Sequence, residues 1–289
     1  MASSANGTST TMRSNEKCLD TYGCPRNRMT HTMLDSTKTP LCLVSCGSFS
    51  PITYLHLRMF VMAADYVKFN TDFEVCAAYL SPVSSAYKKA GLASAQDRIN
   101  MCTIAANESS KWIMCSPWEA TQEAYTPTAA VLDYFDHQIN DLQEGVETST
   151  GERKRVRIAL LAGADLLATM SKEDVWDAKD LDHILGKYGA FIIERSGTVL
   201  EDHLSSLQTW QHNIFPIQQL IKNEVSSTKI RLSLRRRMSI EYLIPRPVIT
   251  YINEHGLYTD DGPAGSTSTL HERGKGEDGR PAVEGSSKS

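Results

Sequence analysis

Short apolar runs alternate along the chain with longer segments in which apolar residues recur at helical spacing. The run at 41–46 is typical of a strand buried on both faces, and the segment at 54–68 has the helical period. Further runs predict strands at 73–80, 112–115, 156–162, 188–194 and 213–217, with helices at 94–107, 127–142, from 226 onward and at 248–255. This alternation predicts an α/β fold, a Rossmann-like, doubly wound parallel sheet with helices on both faces.

The two ends lack any hydrophobic period. Residues 1–38 are rich in Ser, Thr and Asn, and residues 259–289 in Gly, Ser, Asp and Glu, so both are predicted to be disordered tails. The folded domain is therefore expected at 39–258. Within it, residues 144–155 break the periodicity and predict an exposed loop.

Composition excludes several classes of protein. A net charge of −4 gives no overall attraction to nucleic acid or membrane, and no apolar run approaches the ~20 residues of a membrane span. Seven cysteines without a Cys-x-x-Cys pair favour neither a disulfide framework nor a zinc site. We expect an intracellular protein, in the nucleus, the cytoplasm or both.

The segment after the first strand reads GSFSPITYLH and carries the first candidate site. Gly47 and Ser48 end the strand, and a helix begins near Thr53. Backbone N–H groups at such a turn and helix start favour phosphate. His56 lies in the first helical turn, where its ring can lean toward the same anion, although a satisfied histidine beside an ordinary turn is the simpler alternative.

Two further strand ends carry candidate ligand-binding residues. The loop SSAYKKAGL follows the second strand and places Tyr87 and Lys89 at the carboxyl edge of the sheet, where open parallel sheets bind ligands. A solvated basic loop is the alternative. The triplet Gly163-Ala164-Asp165 follows the strand at 156–162. Gly163 permits a close backbone approach, and Asp165 either binds a ribose hydroxyl or an amide or caps its own helix.

The segment NEVSSTKIR, residues 223–231, predicts a second phosphate site. Ser226 and Ser227 are candidate N-caps, so the N–H groups of a new helix would converge with Lys229 and Arg231. A basic helix that binds nucleic acid, or a solvated face, remains an alternative for residues 229–237.

With both motifs in view, residues 41–258 resemble the eukaryotic nicotinamide mononucleotide adenylyltransferases of the nucleotidyltransferase superfamily. GSFSPITYLH resembles the family's ATP-binding start, SPVSSAYKKAGL its lysine loop, LLAGADLL its substrate-binding strand end and SSTKIR its second ATP motif. The resemblance implies a fold of the nucleotidyltransferase type. It also implies an enzyme that joins ATP to nicotinamide mononucleotide, and also to nicotinate mononucleotide, giving NAD and pyrophosphate.

The resemblance also implies roles for individual residues. His56, Lys89 and Arg231 would be catalytic. The ATP- or NAD-binding residues would be Gly47, Ser48, Phe49, His56, Lys89, Gly163, Asp165, Asn223, Ser226, Thr228, Lys229, Ile230 and Arg231. The mononucleotide would be bound by Tyr87, Tyr125, Thr128, Val175 and Trp176. Gln219 stands where relatives often carry Glu.

The chemistry would need little from the protein beyond alignment and charge. The attacking group is the mononucleotide's own phosphate, so no general base is required. Mg²⁺ would arrive with ATP, and no metal site built by the chain is expected. The expected partners are ATP and the mononucleotides, with no nucleic acid and no membrane, and the family resemblance suggests a homo-oligomer.

Two rival functions use the same fold. One is a nucleotidyltransferase with another phosphorylated acceptor, such as phosphopantetheine or a sugar or polyol phosphate. The aromatic residues Tyr125 and Trp176 favour a flat, cationic pyridine ring instead. The other is a non-catalytic nucleotide-binding or chaperone-like protein, which would not need to keep His56, Lys89 and Arg231.

Overall fold

A parallel sheet lies at the centre of the molecule. The computed structural model describes residues 24–172, 175–194 and 200–259. Six strands run parallel in the order β3-β2-β1-β6-β7-β8. Their bounds are β1 Thr39–Gly47, β2 Phe73–Pro82, β3 Ile113–Cys115, β6 Arg157–Gly163, β7 Ala190–Ile193 and β8 Ile214–Ile217. The order reverses between β1 and β6, which is the switch point of a doubly wound sheet, and the predicted fold class is confirmed.

Helices cover both faces of this sheet. They are α1 Tyr54–Asn70, α2 Ala95–Ser109, α3 Thr128–Asp136, α4 Ala164–Met170, α5 Ala178–Leu181, α6 Leu200–Ser205, α7 Ser227–Arg235 and α8 Arg246–Glu254. The π-helical segments His137–Asp141 and Asp182–Tyr188 continue α3 and α5, and 3₁₀ turns occupy Glu119–Thr121 and Gln208–Asn213. The helix predicted at 127–142 thus begins as predicted and ends in a π-helical turn.

Alternate residues of β1 enter different cores. Leu41 and Leu43 pack with α1, α2 and α8, whereas Cys42 and Val44 pack with α3 and α4 on the opposite face. All four side chains are fully buried. The near-continuous apolar sequence of this strand follows from burial on both faces.

The predicted N-terminal tail is too long. Residues 24–38 pack on the domain, with Cys24, Met29 and Met33 buried in the core beside α3. The guanidinium of Arg28 donates to the carbonyl oxygens of Ala106, Ser110 and Ile113 at 2.9, 3.0 and 3.1 Å and so caps the end of α2. Residues 1–23 and 260–289, where the rest of the two predicted tails falls, lie outside the described residues.

The predicted loop at 144–155 contains a small hairpin. Strands β4 Val146–Glu147 and β5 Arg153–Lys154 pair antiparallel. Val146 and Thr148 are 1% exposed, so this part of the segment is buried rather than exposed as predicted. The hairpin also receives the N-terminal segment, because the Met33 N–H donates to the Glu147 carbonyl at 2.8 Å.

Candidate active site

The candidate site lies where the central strands end. Gly47 of β1 is paired with Pro82 of β2, and Gly163 ends β6 on the other side of β1. The Val83 N–H donates to the Gly47 carbonyl at 2.9 Å, which carries the pairing one residue past the strands. Parallel strands therefore bring the first motif, the lysine loop and the Gly-Ala-Asp triplet to one edge of the sheet.

The turn at 47–51 is shaped by Phe49. Its backbone has a φ of 41°, and its side chain is 2% exposed. The ring lies against Gly47, where an added Cβ would come within 3.1 Å of the ring. It also meets the His56 ring edge-on, with 5.2 Å between centroids. A side chain at position 47 would therefore require a small shift of the Phe49 ring.

His56 is held by the start of its own helix. The backbone N–H of Thr53, the N-cap residue of α1, donates to His56 Nδ1 at 3.0 Å, and Thr53 Oγ1 lies 2.9 Å from the same nitrogen. Since Nδ1 accepts a hydrogen bond, the ring hydrogen is assigned to Nε2. His56 therefore presents a neutral imidazole that donates from Nε2.

The second motif touches the first directly. The Ser226 hydroxyl caps α7 by accepting from the Lys229 N–H at 3.3 Å. The Ser227 hydroxyl donates to the Pro51 carbonyl at 2.8 Å, and Arg231 Nη1 donates to the Ser50 carbonyl at 2.8 Å. Two helix N-termini separated by more than 170 residues in sequence therefore meet at one turn.

Arg231 lies inside this junction. It is 9% exposed, and the burial lowers the pKa of its guanidinium. Nη2 lies 3.4 Å from the Thr228 hydroxyl, and Nε has no hydrogen-bond partner among the described residues. A buried guanidinium with an unpartnered donor, and with no carboxylate of the described residues bonded to it, fits an anion such as a phosphate oxygen.

The other residues of the second motif do not all converge as expected. Lys229 is exposed, and its Nζ lies 3.3 Å from Glu224 Oε2, so it does not pair with Arg231 at a common point. Ile230 is 1% exposed and its side chain belongs to the core. The periodicity of α7 explains the difference, because positions 230 and 231 face inward and 229 faces solvent.

Asn223 and Gln219 shape the loop before α7. Gln219 accepts from the Asn223 N–H at 2.6 Å and donates to the Glu194 carbonyl at 3.1 Å, beyond the end of β7. Asn223 Oδ1 accepts from the Val225 N–H at 3.0 Å. Gln219 therefore holds Asn223 in position relative to the end of β7.

The lysine loop lies over the guanidinium of Arg231. Gly91 has a φ of 73°, and an added Cβ would come within 2.8 Å of Arg231 Nε, so glycine is required there. Lys89, two residues earlier, is exposed. The loop is thus anchored beside the phosphate motifs, while the lysine side chain stays at the rim.

Tyr87 of the lysine loop and Tyr125 form an aromatic pair. Tyr87 and Tyr125 lie with ring centroids 5.9 Å apart and are 41% and 51% exposed. The Ser84 hydroxyl donates to the Ala124 carbonyl at 3.1 Å and ties the two segments together. Burial is the main cause that raises the pKa of the Tyr125 hydroxyl, and the nearby Glu119 and Tyr87 raise it further. The hydroxyl therefore stays neutral.

The remaining predicted residues lie at the end of β6, in and after α4, and at the start of α3. A Cβ built at Gly163 would meet no heavy atom of the described residues within 4 Å, so the space above this backbone is open. Asp165 is exposed in the first turn of α4, whose N-cap is Gly163. Trp176 is half-buried, and its Nε1 donates to Thr169 Oγ1 at 3.2 Å, whereas the adjacent Val175 is 54% exposed. Thr128 is half-buried at the start of α3.

Two buried ionisable residues beneath the site were not identified from the sequence. Arg98 is fully buried and donates from Nε to the Ala93 carbonyl at 3.0 Å and from Nη1 to the Val83 and Ser48 carbonyls at 2.5 and 3.4 Å. Its position on the inward face of α2, one turn before Met101, was the available signal.

Glu119 is the second of these residues. It is 3% exposed and accepts from the Ser81 hydroxyl at 2.5 Å, at the end of β2. Burial raises the pKa of this carboxyl to about 8. Glu119 is therefore largely protonated at neutral pH and places little negative charge under the site.

The arrangement can bind a polyphosphate beside a flat aromatic ligand. Two helix N-termini, His56 Nε2 and Arg231 supply donors at the turn, and the tyrosines and Trp176 supply aromatic faces. Within the described ranges, no three or more His, Cys, Asp or Glu side chains form a group that could hold a metal ion. No described helix is long and apolar enough to cross a membrane.

Comparisons with known proteins place these motifs in a family. The model of the cytidylyltransferase-like family matches residues 44–233. Nicotinamide/nicotinic acid mononucleotide adenylyltransferase 1 of Saccharomyces cerevisiae is 50% identical over 84% of this chain and 62% of its own length. The Schizosaccharomyces pombe enzyme is 48% identical over 85% of this chain and 67% of its own length. Nicotinamide/nicotinic acid mononucleotide adenylyltransferase 1 of Bos taurus is 35% identical over 79% of this chain and 92% of its own length. The chain thus spans less than two thirds of the Saccharomyces relative's length.

Proposed function

We propose that this chain, which belongs to the eukaryotic nicotinamide/nicotinic acid mononucleotide adenylyltransferases within the cytidylyltransferase-like family, transfers the adenylyl group of ATP to a pyridine mononucleotide. The products are the dinucleotide, NAD or its nicotinic acid analogue, and pyrophosphate. The family resemblance inferred from the four motifs is confirmed by these matches. The substrates named for the relatives support the choice of acceptor.

The contact between the two phosphate motifs carries the proposal. Ser227 and Arg231 of α7 bond to the carbonyl oxygens of Pro51 and Ser50, so the N-terminus of α7 and the turn before α1 share one space. A triphosphate placed there would face the amide groups of both motifs. No arrangement of this kind is needed to fold a Rossmann-like sheet, but it suits a chain of three phosphates.

The reaction requires the site to reduce the repulsion between the phosphate of the mononucleotide and the triphosphate of ATP. The phosphate of the mononucleotide attacks the α-phosphorus of ATP, and the bond from that phosphorus to the bridging oxygen breaks as pyrophosphate leaves. His56 Nε2 and the amide groups of the turn would hold the phosphates in line. Arg231 would stabilise the charge that builds on the leaving pyrophosphate, and Lys89 would approach from its loop. The attacking oxygen is already anionic, so no proton has to be removed.

The acceptor fits the aromatic side of the site. Tyr125 and Trp176 offer faces for a cationic pyridine ring, and the exposed Val175 precedes Trp176. Because Glu119 stays largely protonated at neutral pH, it would not repel the mononucleotide's phosphate.

The metal, the assembly and the location are also parts of the proposal. Mg²⁺ would enter as the MgATP substrate, since the described carboxylates form no cage for it. The location is proposed to be a reducing intracellular compartment, nucleus or cytoplasm, and the six free thiols of the described residues are compatible with it. A homo-oligomer is proposed from the family alone.

The test is turnover with defined acceptors. Purified protein with MgATP and nicotinamide mononucleotide should release pyrophosphate and form NAD. Pyrophosphate release with phosphopantetheine, and none with either pyridine mononucleotide, would contradict the proposal.

A pair of arginine variants tests the site. Arg231→Lys keeps the charge but loses the fork of donors, and we expect kcat to fall by about 10²-fold, as for single electrostatic contacts in other enzymes. Arg236→Lys, at the exposed end of the same helix, is the matched control and should retain full activity. Equal activities for the two variants would remove Arg231 from the mechanism.

A further inference from the structure

Ser50 is the point at which four segments of the chain meet. Its side chain is 1% exposed, and its hydroxyl has three neighbours. The Ala93 N–H donates to Oγ at 2.9 Å, the Gly91 carbonyl lies 3.3 Å away, and the Tyr258 hydroxyl lies 2.8 Å away. The Ser50 carbonyl accepts from Arg231 at 2.8 Å. Ser50 therefore connects the turn at 47–51, the lysine loop, α7 and the segment after α8.

The direction of these hydrogen bonds follows from the capacity of a hydroxyl group. A serine hydroxyl donates one hydrogen bond and accepts two. Its single hydrogen goes to the Gly91 carbonyl, since that oxygen only accepts. Ala93 N–H and Tyr258 O–H then fill the two acceptor positions. Every capacity of the Ser50 hydroxyl is used, and the phenol of Tyr258 is the donor that completes the set.

Tyr258 reaches this position through an unusual backbone conformation. Its φ is 64°, in the left-handed region that non-glycine residues rarely adopt, and Gly256 has a φ of 58°. The conformation turns the ring inward against the core that contains α1 and α8. Burial raises the pKa of Tyr258 well above its ordinary value, so the phenol remains a donor.

Arg98 closes the arrangement from below. It donates to the carbonyls of Val83 and Ala93, at the two ends of the lysine loop, and to the carbonyl of Ser48 in the turn at 47–51. The loop between them bears Lys89 at the rim. Its second end is thus fixed at residues 91–93 by Arg98 and Ser50, and the bond from Tyr258 fixes Ser50 in turn.

We propose that Ser50 and Tyr258 are a positioning pair through which the end of the folded domain sets the place of the lysine loop, and hence of Lys89, relative to the triphosphate. The inference rests on the proposed function for its kinetic test. Neither side chain touches the reacting atoms in this account. They act through the loop.

The kinetic test removes one hydroxyl at a time. Tyr258→Phe and Ser50→Ala should each lower kcat/KM for ATP by about three- to tenfold, the effect of one buried hydrogen bond, and their effects should not add in the double variant. Tyr251→Phe is the matched control. It deletes a phenol on α8 that bonds to Asp97 and Asn100 of α2, both at 2.9 Å, rather than to Ser50. It should change kcat/KM by less than about twofold.

Coupling to Lys89 separates positioning from simple stability. In a Lys89→Ala background, Tyr258→Phe should have almost no further effect on kcat/KM, because the pair acts through that lysine. Two results would overturn the proposal. One is a Tyr258→Phe variant with the same kcat/KM as Tyr251→Phe, and the other is a full effect of Tyr258→Phe on kcat/KM in the Lys89→Ala background.

Hydrogen exchange gives a readout that does not depend on activity. In Ser50→Ala and Tyr258→Phe, the amide of Ala93 should exchange at least several-fold faster than in the wild type and in Tyr251→Phe. Unchanged exchange at Ala93 would refute the pair even if the wild type made no dinucleotide. A wild type inactive with every mononucleotide, but with faster exchange in the variants, would reject the function and leave the pair intact.

Discussion

Replacing Glu119 with glutamine should stabilise the protein, and by more as the pH rises. The carboxyl is 3% exposed and accepts from the Ser81 hydroxyl at 2.5 Å. Burial raises its pKa from 4.5 to about 8, while the Ser81 hydrogen bond and the charge of Arg98 act in the opposite direction. Glutamine keeps an acceptor for Ser81 and removes the titration.

The sign follows from proton binding in the two states. Between the unfolded pKa of 4.5 and the folded pKa of about 8, the folded protein keeps a proton that the unfolded chain releases. Stability is therefore highest below this window and falls as the pH rises through it, by at most about 1.4 kcal/mol per pH unit. At pH 7, about 2.5 units into the window, the loss attributable to Glu119 is of the order of 3 kcal/mol.

The assay is denaturant unfolding of wild type and Glu119→Gln at several pH values between about 5 and 8. The stability difference between them should grow by a few kcal/mol across this range, or by several degrees in Tm. Glu123→Gln, in the exposed part of the same segment, is the control and should show no such growth. A difference that stays constant or shrinks with rising pH would refute the reasoning.

Two further substitutions test separate parts of the structure. Gly163→Ala should leave Tm unchanged, because its Cβ meets no described atom within 4 Å. It should lower the rate of dinucleotide formation at least tenfold, since the account places a nucleotide on that backbone. Full activity would contradict that placement. Arg28→Ala should lower the free energy of unfolding by about 2 kcal/mol through lost caps on α2, measured in urea, without changing KM for ATP; a large change in KM would mean that the N-terminal segment reaches the site.

Much of the fold was predictable because burial leaves a direct trace in the sequence. The strands at 41–46 and 156–162 lie within a residue or two of β1 and β6, since both are buried on both faces and read as apolar runs. The sequence predicts a tail at 24–38 because the side chains that are buried there, Cys24, Met29 and Met33, are separated by polar residues without a period. The helical segment at 178–188 was predictable but is absent from the sequence analysis, because Leu181, Ile184, Leu185 and Tyr188 recur at the helical spacing i, i+3, i+4 and i+7.

The site was predictable as a set of motifs but not as a set of side-chain directions. The sequence placed Gly47, Gly163 and the α7 cap at one sheet edge, which the parallel topology requires. It did not show that Lys229 turns to Glu224 or that Ile230 enters the core. Contacts such as Tyr258 with Ser50 join residues far apart in sequence, and no local pattern signals them.

The central claim is that the turn at 47–51 and the N-terminus of α7 bind the same triphosphate. A crystal structure with Mg²⁺ and a non-hydrolysable ATP analogue tests it most directly. We predict triphosphate oxygens within hydrogen-bond distance of the turn or His56 Nε2 and, in the same complex, of the α7 N-terminus or Arg231. An analogue bound to one of these motifs, with the other still closed against protein atoms, would contradict the account.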